Sequence, residues 1–581
     1  MRIGLAAATA LLLILLCPIG ISEAATRPIT FYFGLVRPEA RARAAFFAVE
    51  QPGSSSYRRF LSPARTAARY GASPTVRARF VHAVREHGFS ARIDPSGVFA
   101  RVTGPMTHFE RVFRIRIIRG AGDGGVIAYS ATGAPKLPAD LRPLVRDVVF
   151  SYLRQGSVGH TRRWPAAHAA ASAGPRRTGS WRRGCAKAKR TGGFSYAQVR
   201  DAYGIDQLGV GANATVAILG LQEAPSPQDI ADNERCFHYA KLRSRTLLTD
   251  GQRLPITPGL FEPQEDLALA RGMAPAASLI FTQAWSGSAS WFLGASQVLD
   301  RARLPGSLSI SYGICENDVR GTGPDVTPAT KAGANLLDSL VVRLGLSGVG
   351  TYASAGDSGS SCNGLPYSGV AWPASSPYVT SVGGTRLTLT AANRRRSEVV
   401  WNDLRWLSAS SGGGAGGGGF ASKSLRGPYQ RGLGLPGDRR AVPDVAAAAS
   451  NFPGWPVALG GTWLIDGGTS AAAPLVASAM AVLSADLRRR HLPAVGPANG
   501  LLYYLARHRP SAFWDVIRGN NGFFANVPAE VARRGYDLAS GLGVPQFAEI
   551  ARMMPAAAGQ GVAFQAGGAA GAAPHPKGEQ R

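Results

Sequence analysis

The clearest chemistry in this chain lies in eight residues, Gly467-Gly468-Thr469-Ser470-Ala471-Ala472-Ala473-Pro474. Glycines allow a sharp turn and a close backbone approach. The turn delivers Ser470 to the start of an apolar segment running from Ala472 to Leu483. A serine at a helix start exposes its hydroxyl beside outward-facing backbone N–H groups. With a base in reach, such a hydroxyl becomes a nucleophile. Taken alone, the same residues also read as an ordinary helix N-cap.

Histidine is the usual base, but the chain offers little. Between Gly192 and Ser470 the only histidine is His238, in Cys236-Phe237-His238-Tyr239, without glycine-rich surroundings. His491 and His508 follow the serine on charged segments. Carboxylates are better placed. Glu262-Pro263-Gln264-Glu265-Asp266 opens a helix, with Pro263 suited to its first turn. Positions i and i+4 share a face, which pairs Glu262 with Asp266 and turns Glu265 aside. Two close carboxylates share protons, and one of their pKa values rises. Glu262 can then accept the serine proton while Asp266 supports it. The plainer alternative is acidic residues favouring a helix N-terminus. A third segment, Ala353-Ser354-Ala355-Gly356-Asp357-Ser358-Gly359-Ser360, follows a strand candidate. Asp357 there reads as a turn former, as a calcium ligand or, when protonated, as a donor to an oxyanion.

The elements that must position these residues change character along the chain. Residues 28–155 read as a compact α/β unit. It has strand candidates at Ile29–Leu35, Val98–Val102 and Val112–Ile118, and helical spacing at Arg77–His87. Residues 156–190 are basic and rich in Ala, Ser and Arg, as an exposed, protease-accessible linker would be. From 191 to 553 short apolar strands alternate with helical segments, at Thr215–Leu221, Ser278–Thr282, Leu308–Tyr312, Gly350–Ser354 and Val379–Val382. That alternation predicts a parallel sheet with helices on both faces, its site at the carboxyl ends of the strands. The glycine run Ser410–Gly419 sits mid-domain and reads as a substrate-lining loop. The Gly/Ala-rich tail, 554–581, reads as disordered.

Arg2, the apolar run Leu5–Leu16 and Ser22-Glu23-Ala24-Ala25 have the form of a signal peptide over 1–25. The run is short for a membrane span, and no later stretch replaces it, so a secreted product with no stable membrane anchor is expected. Removing the signal leaves Cys185, Cys236, Cys315 and Cys362. An even number in an oxidising compartment suggests two disulfides. Three pairings are possible and sequence does not choose among them; Cys185–Cys236 with Cys315–Cys362 is the working expectation. No two cysteines have the CxxC spacing of a zinc site. The net charge of +28 invites a nucleic-acid reading. The arginines are dispersed, however, and no recognised nucleic-acid-binding motif appears, so specific nucleic-acid binding is not expected.

The ordered motifs resemble the sedolisins, the serine-carboxyl peptidases also called the kumamolisin family. Glu262-x-x-x-Asp266 with Pro275, Ser309-Ile310-Ser311-Tyr312-Gly313 and Ala355-Gly356-Asp357-Ser358-Gly359 are similar to family segments in family order. So are Pro373-Ala374-Ser375-Ser376-Pro377-Tyr378-Val379, Gly383-Gly384-Thr385, Pro443-Asp444-Val445 and Gly468-Thr469-Ser470-x-x-x-Pro474. Tyr57-Arg58-Arg59-Phe60-Leu61-Ser62, Tyr70-Gly71 and Gly88-Phe89 resemble the family's activation prodomain. Three departures stand out: Pro263 restricts the backbone of Glu262, Arg533 replaces a usual glycine, and the glycine-rich loop is longer than the family pattern implies.

The resemblance implies an α/β fold with a subtilisin-like parallel sheet, helices on both faces and a small α+β, ferredoxin-like prodomain ahead of it. It implies Ser470 as nucleophile, Glu262 as base, Asp266 as its support and a neutral Asp357 as oxyanion donor. Near Phe513-Trp514-Asp515-Val516 and Gly535-Tyr536-Asp537 it implies one structural Ca2+, held by the side chains of Asp515 and Asp537 and the carbonyls of Val516, Arg533 and Gly535. The implied product is a monomeric acid peptidase acting on proteins or peptides, as endopeptidase or tripeptidyl-peptidase. Its own prodomain would cover the cleft as an intramolecular inhibitor until the linker is cut at low pH. A histidine-triad subtilase and an inactive, binding homologue are the competing readings.

Overall fold

The computed structural model describes residues 28–554 apart from 122–125, 133–134, 156–179, 181–183, 222–224, 249–260, 285–287, 323–325, 363, 407 and 409–412. The signal-peptide and tail readings, and most of the linker reading, fall outside the described residues.

The first unit is α+β. Its four-stranded antiparallel sheet runs in the order Ser90–Ile93, Phe99–Pro105, Pro28–Leu35, Val145–Val149. A second sheet joins Arg116–Ala121, Val126–Thr132 and Ser151–Gln155. An aromatic cluster fills the space between sheet and helices: Phe31 meets Phe109 and Phe150 edge-on, each at 4.8 Å between ring centroids. This cluster corrects one sequence reading. Val112 and Phe113 end the helix Met106–Phe113 rather than begin a strand. Phe109 and Phe113, one turn apart, both bury in the cluster, so helical spacing prevails. Arg114, at φ 53°, breaks the helix, and the strand starts at Arg116.

The second unit holds the larger sheet, in the order Arg395–Val400, Thr380–Leu389, Gly350–Ser354, Ser307–Ile310, Thr215–Leu221, Ser278–Ala284, Ser244–Leu247. All neighbours are parallel except the first pair, and Val445–Ala448 adds in parallel to Thr380–Leu389. Helices cover both faces, as the alternating pattern predicts. Thr469–Arg489 lies at the centre of one face and is buried along nearly its whole length. It is long and apolar enough to cross a membrane, contrary to the sequence reading, but 83% of its apolar window is inside the protein. The disulfides are Cys185–Cys236 and Cys315–Cys362, the expected pairing.

The two units share a core. Tyr32, Phe46, Tyr70 and Phe99 of the first pack with Phe292, Leu336, Leu340 and Tyr378 of the second. Polar contacts lock the same surface. Arg343 Nη1 donates to Glu39 Oε1 at 3.1 Å and Nη2 to the Tyr70 carbonyl at 2.6 Å. Arg37 bridges Glu39, at 2.8 Å, and Ser339 Oγ, at 2.7 Å. Asn335 donates to Asp147, and Ser296 to Asp94. The docking face is thus the helix Pro328–Leu346 and its surroundings. Among the described residues, the first unit makes no hydrogen bond to Glu262, Asp266, Asp357 or Ser470.

Candidate active site

Ser470 stands in the first turn of the helix Thr469–Arg489, at a position partly open to solvent. The turn before it needs Gly468 for two reasons. Its φ is 98°, and an added methyl would come within 2.9 Å of Asp357 Oδ2. Four residues on, Pro474 has no N–H with which to bond the Ser470 carbonyl. That carbonyl faces the Ser311 hydroxyl instead, at 3.2 Å.

Ser311 follows the carboxyl end of the strand Ser307–Ile310. Its hydroxyl lies 2.6 Å from Asp266 Oδ1, and its carbonyl accepts from Ser470 Oγ at 3.2 Å. A single hydroxyl proton serves one acceptor, and the shorter, charge-assisted bond to Asp266 is the stronger. Sequence reading placed Ser311 in the strand candidate Leu308–Tyr312 and missed this bridging role; its polar type after a buried strand was the available signal.

Asp266 is 1% exposed on the helix Glu262–Met273. Glu262 opens that helix, with Pro263 in its first turn. Burial pushes Glu262 well above the usual carboxylate range, and Asp266 adds to the rise. The Ser470 hydroxyl opposes it when it donates to this carboxyl rather than to the Ser311 carbonyl. Burial raises Asp266 too, offset in part by the Ser311 bond. Both carboxyls thus favour the protonated form more than a free carboxylate does. Glu265 is not turned out to solvent: it is 1% exposed, and Oε1 has no hydrogen-bond partner among the described residues. Asp466, next to the Gly467-Gly468 turn, raises the pKa of both Glu262 and Glu265. Neither Glu265 nor Asp466 was singled out from sequence.

Asp357 follows the strand Gly350–Ser354 and reaches the cleft surface. Its Oδ1 accepts from the Thr469 backbone N–H and from Thr469 Oγ1, both at 2.7 Å. With Oδ1 doubly engaged, the proton of the neutral acid belongs on Oδ2. Surrounding protein disfavours the charged form and raises its pKa, although the Thr469 bonds work against the shift. The glycine run lines this acid: Ala415 N donates to the Asp357 carbonyl at 3.0 Å and Gly417 N to Gly356 at 2.7 Å. A side chain at Gly417 would collide with the Ala355 carbonyl.

The structure thus brings Glu262, Asp266, Asp357 and Ser470 together. His238 is exposed at the end of the helix Pro227–Phe237, and His491 and His508 are exposed as well. Among the described residues no arginine or lysine forms an ion pair with the acidic cluster, in a chain holding 64 of them. Asp444, from the Pro443-Asp444-Val445 motif, lies elsewhere: it is fully buried and fixes Arg440, Tyr503 and the Ser381 backbone.

The calcium set forms a separate turn. Gly535 N donates to Asp515 Oδ2 and Arg533 N to Asp537 Oδ2, both at 3.0 Å. Asp537 is buried, which raises its pKa, and also accepts from Ala539 and Ser540. Among the described residues no group of three or more His, Cys, Asp and Glu side chains is disposed to hold a metal.

A family model for the pro-kumamolisin activation domain matches residues 23–151, and one for the subtilase family matches 262–491. Kumamolisin of Bacillus sp. (strain MN-32) is 34% identical over 293 residues, 49% of this chain and 49% of that protein. Sedolisin of Pseudomonas sp. (strain 101) is 26% identical over 507 residues, 84% of this chain and 81% of that protein. The chain therefore spans about half of the first relative and four-fifths of the second. A solved structure described as Pseudomonas sedolisin (serine-carboxyl proteinase) complexed with two molecules of pseudo-iodotyrostatin aligns with a TM-score of 0.55 at 26% identity, covering 62% of this chain and 97% of that one. With an activation domain ahead of a subtilase-type sheet, the chain belongs to the sedolisin–kumamolisin family of serine peptidases.

Proposed function

We propose that this chain is the zymogen of a secreted acid peptidase that cleaves peptide bonds through Ser470, Glu262 and Asp266. The observation that supports it most is a serine hydroxyl that can meet either the Ser311 carbonyl or the buried Glu262 carboxyl, with the histidines between Gly192 and Arg581 exposed or outside the described residues. Residues 1–25 would direct export, 28–155 form the prodomain, 156–190 hold the processing site and 191–553 form the peptidase. Two disulfides suit an oxidising compartment.

The contacts support the following steps. With the Glu262–Asp266 pair fully protonated, Glu262 has no lone pair free for the serine proton. Once the pair has lost one proton, the other can move to Asp266 and leave Glu262 as acceptor. Ser470 Oγ then attacks the carbonyl carbon, and its proton passes to Glu262. Neutral Asp357 donates from Oδ2 to the oxygen that becomes negative. Glu262 returns the proton to the leaving amine, and water repeats the sequence to free the acyl group. The resemblance to acid peptidases and the need for a neutral Asp357, whose pKa burial raises, support an expected activity at acid pH that fades as Asp357 ionises.

Ser470→Ala tests this directly. In pure form at acid pH the variant is expected to remain full-length while the parent chain shortens by cleavage within 156–190. A fluorophosphonate should label the parent chain at Ser470 and not the variant. An inactive binding homologue would show neither response.

The all-oxygen donors at 515–516 and 533–537 fit a hard divalent cation, since buried Asp537 has no basic partner among the described residues. Asp515, Asp537 and the carbonyls of Val516, Arg533 and Gly535 would hold one Ca2+, whose role is to fix this turn. Chelation is expected to lower the melting temperature by about 5–10 °C, and Asp537→Asn to remove the response to added calcium.

A further inference from the structure

Beside the catalytic residues lies an open pocket of about 730 Å³ that the mechanism above does not use. Arg386, on the strand Thr380–Leu389, and Arg405, in the loop after Arg395–Val400, both line it. Each guanidinium carbon stands 4.6 Å from the ring centroid of Trp406, so one indole carries two cations. Phe452 braces that indole, at 5.7 Å between centroids. Stacking leaves the in-plane N–H groups of a guanidinium free to donate to something else.

Neither arginine has an acid of its own. Among the described residues, half-buried Arg386 and exposed Arg405 make no hydrogen bond and no ion pair. The acid that acts on Arg386 is Asp403, which is 0% exposed and already accepts from Trp401 Nε1, Ser450 Oγ and the Asn451 N–H. Glu398, on the neighbouring strand, is paired with Arg395. Burial lowers the pKa of Arg386; Asp403 opposes the fall and Arg405 adds to it. Two like charges on one ring repel, and an anion between them would remove that cost.

The pocket adjoins the oxyanion acid through the glycine run. Asn402, in the pocket wall, pairs with Ala415, and Ser358 pairs with the other side of Ala415. Ala415 N donates to the Asp357 carbonyl at 3.0 Å, and Gly359 N to the Ala415 carbonyl at 2.9 Å. Asn402 Nδ2 donates to the Gly522 carbonyl at 2.8 Å, and Ser360 N to the Asn521 carbonyl at 3.3 Å. The short ladder that holds Asp357 therefore also forms a wall of the pocket. Two ladder steps of about 4.8 Å separate Asp357 from Asn402, a span that about three residues of extended peptide cover.

We propose that Arg386, Arg405 and Trp406 form a substrate subsite that takes an acidic side chain, aspartate or glutamate, a few residues from the bond cut by Ser470. The carboxylate accepts from both guanidinium groups, and Leu404, Phe523 and Phe524 give its methylene groups an apolar wall. The subsite rests on the reading of the Asp357–Ser470 cleft as the place of cleavage.

The test uses peptides with one cysteic acid walked through the positions on both sides of the cleaved bond, each against the same peptide with glutamine there. The sulfonate stays ionised throughout the acid range, and mass spectrometry of the products fixes the bond cut. The readout is the ratio of kcat/KM, cysteic acid over glutamine, for the enzyme after acid processing. At one position the ratio is expected to reach about ten at low ionic strength, carried by KM, and to fall toward one in about 0.5 M salt. Arg386→Gln and Arg405→Gln are each expected to lower that ratio severalfold. Arg405 is exposed, so its variant tests the site even if Arg386→Gln fails to fold. A structural role for the arginines would lower both rates together and leave the ratio in place. A ratio near one at every position in the parent enzyme, or a high ratio that the variants retain, overturns the proposal. If the parent chain cleaves no peptide, the reading of the cleft fails; if it cleaves with a ratio of one, only the subsite fails.

Discussion

Glu262→Gln is expected to lower kcat/KM at the pH optimum by about a thousandfold, within the range found for removing a general base. Glutamine keeps the shape and can still meet the Ser470 hydroxyl, but it cannot accept a proton. The loss should appear in kcat more than in KM, because the interaction exists only as Ser470 Oγ develops its bond to the substrate. Folding should survive. The substitution removes an acid whose charged form burial and Asp266 disfavour, with no cation left behind. His238→Ala provides the contrast: the residue is exposed at a helix end, and its loss should leave the rate unchanged. Steady-state kinetics and thermal melting of both variants decide between a carboxylate and an imidazole base. A sizeable loss in His238→Ala would favour a histidine triad.

Much of this site was legible in spacing. Glu262 and Asp266 are four residues apart on a helix, and that separation fixes a shared face before any tertiary contact is known. Ser470 announces itself because only glycines make the preceding turn. Asp357 was readable as one of three things; that Thr469 engages its Oδ1 twice is a contact no local pattern foretells. Glu265 was misjudged because i+4 was preferred to i+3, although both are helical neighbours. The burial of that helix on several sides, a tertiary property, is what keeps Glu265 from solvent. Val112–Phe113 failed for a related reason. A short apolar run fits strand or helix, and packing against Phe31 and Phe150 decided for helix. The docking face of the first unit was not legible at all. It joins Glu39 to Arg343 across 304 residues, and nothing local to either position marks them as partners.

That pairing makes a second large effect expected. Burial alone would raise the pKa of Glu39, but Arg343 and Arg37 outweigh it and hold the carboxyl at about 2, below its ordinary 4.5. A depressed carboxylate pKa contributes stability that is complete above about pH 4.5 and disappears as pH falls through about 2. The latch between the two units should therefore survive mild acid. Cutting the linker near pH 4 would leave the prodomain bound, and its release would need stronger acid or its own digestion. Glu39→Gln strips the charge and leaves two buried guanidinium groups facing each other. Breaking a buried pair in this way costs about 3–5 kcal/mol, which corresponds to roughly a hundred- to several-thousandfold weaker docking. The nicked variant is expected to lose its prodomain on size exclusion at pH 5 and to be active there, while the nicked parent protein stays associated and inhibited. Equal release of both at pH 5 would mean that the apolar surface around Phe46, Phe292 and Tyr378 carries the docking and that Glu39 contributes little.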